Sequence, residues 1–302
     1  MLPAMGDSIH FLSFTTMDEH FHSFLGGNGG VVHSVFSRAI NIQGDEGLFS
    51  IVCGDWPAPY SANIAIVNDP FFCIRAGDAV KTDNVGALSI GNSTIVDCRK
   101  ARLFHASYKK PEGCQDFSLG IAEFDAYCAE TTMTDGCMSF YCNCYLGQSG
   151  YGNDLVTAEL SKRLADFVIA VRGGMDCEKE LWRVVGAGQG LTPSGDDFLC
   201  GFLFVLHNLG TRRADDLFVR ISQILSSRVL STTDVSSWMI RSYIGGESAG
   251  VYRELLEAFY GCRNMKAILS KVRSIGHSSG LDFAVGMAAA LKTASTWKNS
   301  WQ

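Results

Sequence analysis

A change of hydrophobic period partway along the chain most limits what it can fold into. Up to about residue 110, apolar residues come in short runs broken by turn formers, the pattern of strands. Residues 31–42 predict one strand, the segment Gln43-Gly44-Asp45-Glu46-Gly47 a turn, and residues 48–53 a second strand. Residues 61–67, 87–96 and 103–108 continue this character, punctuated by Trp56-Pro57-Ala58-Pro59 and Gly91-Asn92-Ser93. From about Asp154 the spacing turns helical. Leu155, Leu160, Leu164, Phe167 and Val168 fit one face of a helix that stops before Gly173-Gly174. Residues 198–209, 217–229, 252–260, 265–272 and 281–294 read as further helices. Strands and helices are segregated, so the predicted class is α+β, with a β-rich N-terminal part and an α-helical C-terminal part. The expected division is a β-rich domain over 1–110, a connecting segment over 111–150, and a helical domain over 151–302.

With 302 residues, 47% of them hydrophobic and 19% charged, the chain has enough apolar material for a sizeable core. A net charge of −6 argues against bulk binding to nucleic acid or anionic membrane, while leaving room for a local basic pocket. No apolar run approaches the roughly 18 residues of a membrane span. The N-terminal MLPAMGDSIHFLSF lacks a basic stretch and carries Asp7 early, which makes it a poor secretory signal. Eleven scattered cysteines read as reduced, mostly buried thiols, giving an expected cytoplasmic location. The densest group, Cys137, Cys142 and Cys144, lacks common zinc spacing and is expected to be buried thiols on a strand.

The richest chemistry lies in GAGQGLTPSGDD, residues 186–197. Gly186, Gly188, Gly190 and Gly195 precede an apolar helix, so main-chain N–H groups and the positive end of a helix dipole would face one ligand. Thr192 and Ser194 add hydroxyls, and the set suits a phosphate or carboxylate. Asp196 and Asp197 complicate this, because carboxylates repel an anion. Either one caps the helix, or they hold Mg²⁺, or one handles an amino or ureido group as an acid or base. The segment is neither a P-loop nor a dinucleotide fingerprint. A tight structural turn is the alternative, but packing alone gives little reason for so much polarity beside so apolar a helix.

Three further constellations are candidates. His277, Ser278 and Ser279 lie in GHSSGLD before the last helix, where the serines suit capping and His277 suits acid–base work. His33 and Ser34 lie on a strand after a glycine-rich stretch, with His33 and Val35 expected on one face and Ser34 and Phe36 on the other. Arg38 follows as a candidate anion contact. The hydroxyl-rich Ser231-Thr232-Thr233-Asp234 is the kind of loop that caps a helix.

These segments together resemble a known family. GxGxGLTPSGDD before an apolar helix, HSVF on a strand and GHSSGLD downstream look like the third subunit of bacterial oxamate carbamoyltransferase. The resemblance implies phosphorolysis of oxalurate, or a related ureido acid, to oxamate and carbamoyl phosphate within anaerobic breakdown of purine-derived nitrogen. A carbamate kinase would then consume the carbamoyl phosphate. It further implies two larger partner subunits and a small anionic substrate. On this reading Asp196, Asp197 and His277 are the candidate catalytic groups, with Asp196 and Asp197 also candidate Mg²⁺ ligands. Gly186, Gly188, Gly190, Thr192, Ser194, Gly195, His33, Ser34, Ser278 and Ser279 are the candidate substrate contacts. Two other readings stay open: a non-catalytic binding or assembly subunit, and a stand-alone Mg²⁺-dependent phosphotransferase.

Overall fold

A computed structural model describes residues 9–83, 86–106, 116–131, 135–148, 154–174 and 176–297. The chain divides into two compact units, Met1–Ser107 and Tyr108–Gln302, and the class is α+β.

The N-terminal unit is a β-barrel. Its strands are β1 (His10–Asp18), β2 (Gly30–Val35), β3 (Ala39–Gly44), β4 (Gly47–Cys53), β5 (Ser61–Ile64), β6 (Ala79–Thr82), β7 (Ala87–Ile90), β8 (Thr94–Asp97) and β9 (Arg102–Phe104), with a short helix α1 (Glu19–Leu25) after β1. The sheet runs β5-β4-β3-β2-β6-β7-β8-β1-β9, and an antiparallel β1–β5 pairing closes it. Closure removes free sheet edges and turns one face inward. That interior holds Phe14, Phe21, Ile40, Ile42, Phe49, Ile51, Leu88 and Val96, so it is a packed core.

Two strand expectations need correcting here. The single strand over 31–42 is two strands, folded back at Phe36–Ala39, where the Phe36 N–H donates to the Ala39 carbonyl at 2.7 Å. The alternation expected around His33 also fails. A bulge between Val32 and Ser34 inserts His33, so Val32 and Val35, three residues apart, both pack on the core.

The C-terminal unit is helical throughout its described part. Its helices are α2 (Ser118–Glu130), α3 (Met138–Tyr145), α4 (Leu155–Arg172), α5 (Glu178–Val184), α6 (Ser194–Asn208), α7 (Arg212–Ser226), α8 (Asp234–Ile244), α9 (Gly250–Phe259), α10 (Met265–Val272) and α11 (Ser279–Ser295). The stretch expected to be a connector thus carries α2 and α3, which belong to this unit. The strand reading of the cysteine group is overturned as well: Cys142 and Cys144 lie on α3, with Cys137 at its start. Two residues apart on a helix project about 200° apart, so Cys142 is buried while Cys144 is exposed. The hydroxyl-rich loop does cap a helix, since the Thr233 side chain accepts the Ser236 N–H at 3.1 Å and opens α8.

The centre of the unit is the pair α6 and α11, both almost wholly buried. They touch backbone to backbone at two glycines. A Cβ on Gly201 would lie 2.0 Å from the Phe283 carbonyl oxygen, and one on Gly286 would lie 2.1 Å from that of Phe198. This contact sets the two helix starts, and their polar loops, side by side. Among the described residues no helix is long and apolar enough to cross a membrane.

Candidate functional site

The loops before α6 and α11 meet. Thr192 Oγ1 and Ser279 Oγ are 2.8 Å apart and share a hydrogen bond, although 87 residues separate them. Behind them lie three carboxyls, Asp196, Asp197 and Asp282, which are 0%, 3% and 1% exposed. Buried acids are rare unless something compensates. Here two helices bring their positive ends to the same place, which favours negative charge in both first turns.

The two adjacent acids have different duties. Asp196 Oδ1 accepts the Gly186 N–H at 2.7 Å, and its Oδ2 accepts the Thr232 hydroxyl. It therefore ties the glycine loop to the start of α8. Both Asp196 oxygens are thus engaged by donors of the protein itself. Among the described residues no cluster of three or more His, Cys, Asp or Glu side chains stands ready for a metal.

Asp197 faces inward to Asp282. The hydroxyls of Ser279 and Thr192 lie against its carboxyl, Tyr243 and Tyr252 stand nearby, and its Oδ2 has no hydrogen-bond partner. Asp282 Oδ1 accepts the Cys137 N–H at 2.6 Å, and its Oδ2 likewise has no partner. Gly136 allows this approach, since a Cβ there would lie 2.2 Å from Asp282 Oδ1. Burial pushes the Asp197 carboxyl well above the usual carboxylate range, and the neighbouring Asp282 charge adds to that. Burial lifts Asp282 to about 6, against the pull of the Cys137 N–H and the Ser194 and Ser278 hydroxyls. Both acids are thus pushed toward their protonated forms, Asp197 the further of the two, and they titrate as a coupled pair. Asp282 was missed as a site residue; the signal available was its place as the acid that ends GHSSGLD.

A pH dependence follows. The folded state holds the Asp282 proton more tightly than the unfolded chain, whose carboxyl titrates near 3.8. Its contribution is fully present below that value and is lost as pH rises through about 6, a loss of about 3 kcal/mol. Denaturant unfolding between pH 4.5 and 7 should show wild type losing stability more steeply than Asp282→Asn. Parallel curves would rule out the raised Asp282.

The glycine loop folds back on its own helix. The Gly195 N–H donates to the Ala187 carbonyl at 2.8 Å, and the Asp196 and Asp197 N–H groups both donate to Pro193. The donors expected to cradle an anion at the start of α6 are thus largely used within the loop. Gly188, Gln189 and Gly190 are the exposed part. Gly186 and Gly188 have φ of 71° and 115°, and a Cβ on them would lie 2.4 Å from the Ser231 carbonyl oxygen and 2.8 Å from the Ser194 nitrogen. Ser194 itself is buried.

Within the helical unit, His277 is turned away from the buried acids. His277 leaves 86% of its side chain exposed and faces Asp135, with Nε2 to Oδ2 at 3.3 Å. Ser278 and Ser279 are half-buried at the start of α11. His33 and Ser34 belong to a network inside the N-terminal unit. There His33 Nδ1 lies 3.2 Å from Ser34 Oγ, Asn41 Nδ2 donates to Ser34 Oγ at 2.9 Å, and Ser50 Oγ donates to Asn41 Oδ1 at 2.8 Å. Arg38 Nη2 donates to the Cys53 carbonyl at 3.1 Å.

Fold and site together define an α+β protein of two units, a closed barrel and a helical unit built around an acid pair at converging helix starts. The chain belongs to the AllH family. The family described as oxamate carbamoyltransferase subunit AllH matches residues 184–291, and the AllH family N-terminal domain matches residues 13–103. The first match contains both polar loops and all three buried acids. No solved structure matches the chain.

Proposed function

We propose that the chain supplies a proton-handling site to an oxamate carbamoyltransferase complex, which it forms with two larger subunits in the cytoplasm. The reaction is phosphorolysis of oxalurate, or a related ureido acid. A phosphate oxygen bonds to the ureido carbon, the bond from that carbon to the oxamate nitrogen breaks, and the leaving nitrogen takes a proton. Carbamoyl phosphate and oxamate result.

One observation carries this reading: the meeting of Thr192 and Ser279 over two buried acids that are both pushed toward their protonated forms. A proton held on Asp197 reaches the surface through those hydroxyls, which lie against its carboxyl and are hydrogen-bonded to each other. An ionised Asp282 beside it stabilises the protonated partner and favours the proton's return. Two acids pushed apart in this way are a common arrangement for general acid–base work. The exposed main chain at Gly188–Gly190 and the half-buried Ser278 and Ser279 form the rim where substrate arrives.

The test is reconstitution. The purified chain, mixed with its partner subunits, oxalurate and phosphate, should restore carbamoyl phosphate formation that the partners lack alone. Full turnover without this chain would overturn the proposal. Turnover that needs the chain but survives changes at Asp197 and Asp282 would make it an assembly subunit instead.

A further inference from the structure

A cleft of about 320 Å³ opens beside the glycine loop. Leu155, Glu159, Leu160 and Arg163 of α4 form one wall, and Ala187 and Gly188 form the other. The volume suits a small ligand. The loop wall is fixed to the buried acids. A Cβ on Gly188 would lie 2.8 Å from the Ser194 nitrogen, and the Ser194 hydroxyl lies against the Asp282 carboxyl.

The cleft's charges are oriented. Arg163 Nε donates to Glu159 Oε1 at 2.8 Å, and Arg163 Nη1 donates to the Arg183 carbonyl of α5 at 3.1 Å. Arg183 in turn bonds Asp166 at 2.9 Å and approaches Glu159 at 3.5 Å. A guanidinium held to a main-chain carbonyl of another helix keeps its plane, and donors of the same fork remain for a carboxylate. Its hydrogen bond also holds the Glu159 carboxyl below the usual range, so Glu159 is an ionised acceptor. Donor and acceptor thus stand side by side above an apolar wall.

We propose that this cleft binds the carboxylate-and-amide end of a small acid, with Arg163 taking the carboxylate and Glu159 an N–H. It rests on the carbamoyl-transfer reading, in which that end is the oxamyl half of the substrate. Leu155 and Leu160 supply the apolar side of the bound group's surroundings, and the scissile carbon lies toward Gly188.

The test uses the full chain with its partner subunits, oxalurate varied at saturating phosphate. Arg163→Met should raise KM for oxalurate at least about tenfold, with kcat within about threefold and the melting temperature within about 2 °C, because an exposed ion pair adds little stability. Arg220→Met removes a comparable exposed pair with Asp176 and should change neither constant. An unchanged KM in Arg163→Met, or a fall in kcat alone, overturns the cleft. Calorimetry of oxamate with the full chain separates this from failure of the reaction reading. If the wild-type complex makes no carbamoyl phosphate, oxamate binding that is lost in Arg163→Met still supports the cleft. Equal binding by both proteins, or none to wild type at millimolar oxamate, overturns it.

Discussion

Asp197→Asn should leave the chain at least as stable as wild type while carbamoyl phosphate formation by the complex falls at least about a hundredfold. Asparagine keeps the shape of the side chain, and its carbonyl still faces the Ser279 and Thr192 hydroxyls. It also removes a carboxyl that burial and Asp282 both disfavour in its charged form. Stability therefore has nothing to lose. Chemistry does, because the amide has no proton to give at neutral pH, and a positioned acid or base contributes about 10²–10⁴ in rate. Thermal unfolding and turnover measured on the same preparation check both halves. A rate within threefold of wild type would remove Asp197 from the reaction, and a collapse in stability would make its role structural.

The second large effect is on folding. Alanine is the better helix former by about 1 kcal/mol, so helix propensity alone says that Gly201→Ala should stabilise α6. The contact says the opposite. The new Cβ would lie 2.0 Å from the Phe283 carbonyl oxygen and 3.0 Å from the Met287 nitrogen, both main-chain atoms of a buried helix. Relief requires α6 and α11 to separate, and overpacking of this kind typically costs about 1–3 kcal/mol, occasionally more. The contact term wins. The melting temperature of Gly201→Ala should fall by roughly 5–10 °C, and Gly201→Val should prevent soluble expression. A rise in melting temperature would show that the helices are not in backbone contact there.

Much of the helical unit was legible. The 3.6-residue spacing in 155–168 and the apolar runs in 198–209 and 281–294 correspond to α4, α6 and α11. α2 and α3 were not legible, because Ser118–Glu130 has no clean apolar face and Met138–Tyr145 mixes aromatic and cysteine residues. In the barrel, the turn at 43–47 was plain from its glycines, whereas the reversal at Phe36–Ala39 has neither glycine nor proline to announce it. The bulge at His33 has no local signature at all.

The candidate site divides the same way. Asp196 and Asp197 are neighbours in sequence and looked interchangeable, yet one faces Gly186 and Thr232 while the other faces Ser279 and Asp282. Side chains about 100° apart around a helix meet different surroundings, and sequence alone does not say which. His277 looked like the natural acid or base by residue type, but the turn before α11 points it at Asp135 on the surface. Asp282, a plain first-turn acid in the sequence, became half of the pair.

By itself, then, the sequence determined the two-part α+β division, most of the long helices, and the two polar loops that open α6 and α11. Those follow from local spacing and from glycine, serine and aspartate chemistry within a few residues. Tertiary structure alone decided that the barrel closes through β1 and β5, and that Thr192 meets Ser279. It also decided that Asp197 and Asp282 are buried beside each other, each pushed toward its protonated form. The reason is distance along the chain. A carboxyl's ionisation depends on how completely water is excluded and on which charges stand within a few ångströms, and here the neighbours that matter include Asp282 for Asp197 and Cys137 for Asp282, 85 and 145 positions away. The close approach at Gly201 and Gly286 brings them together.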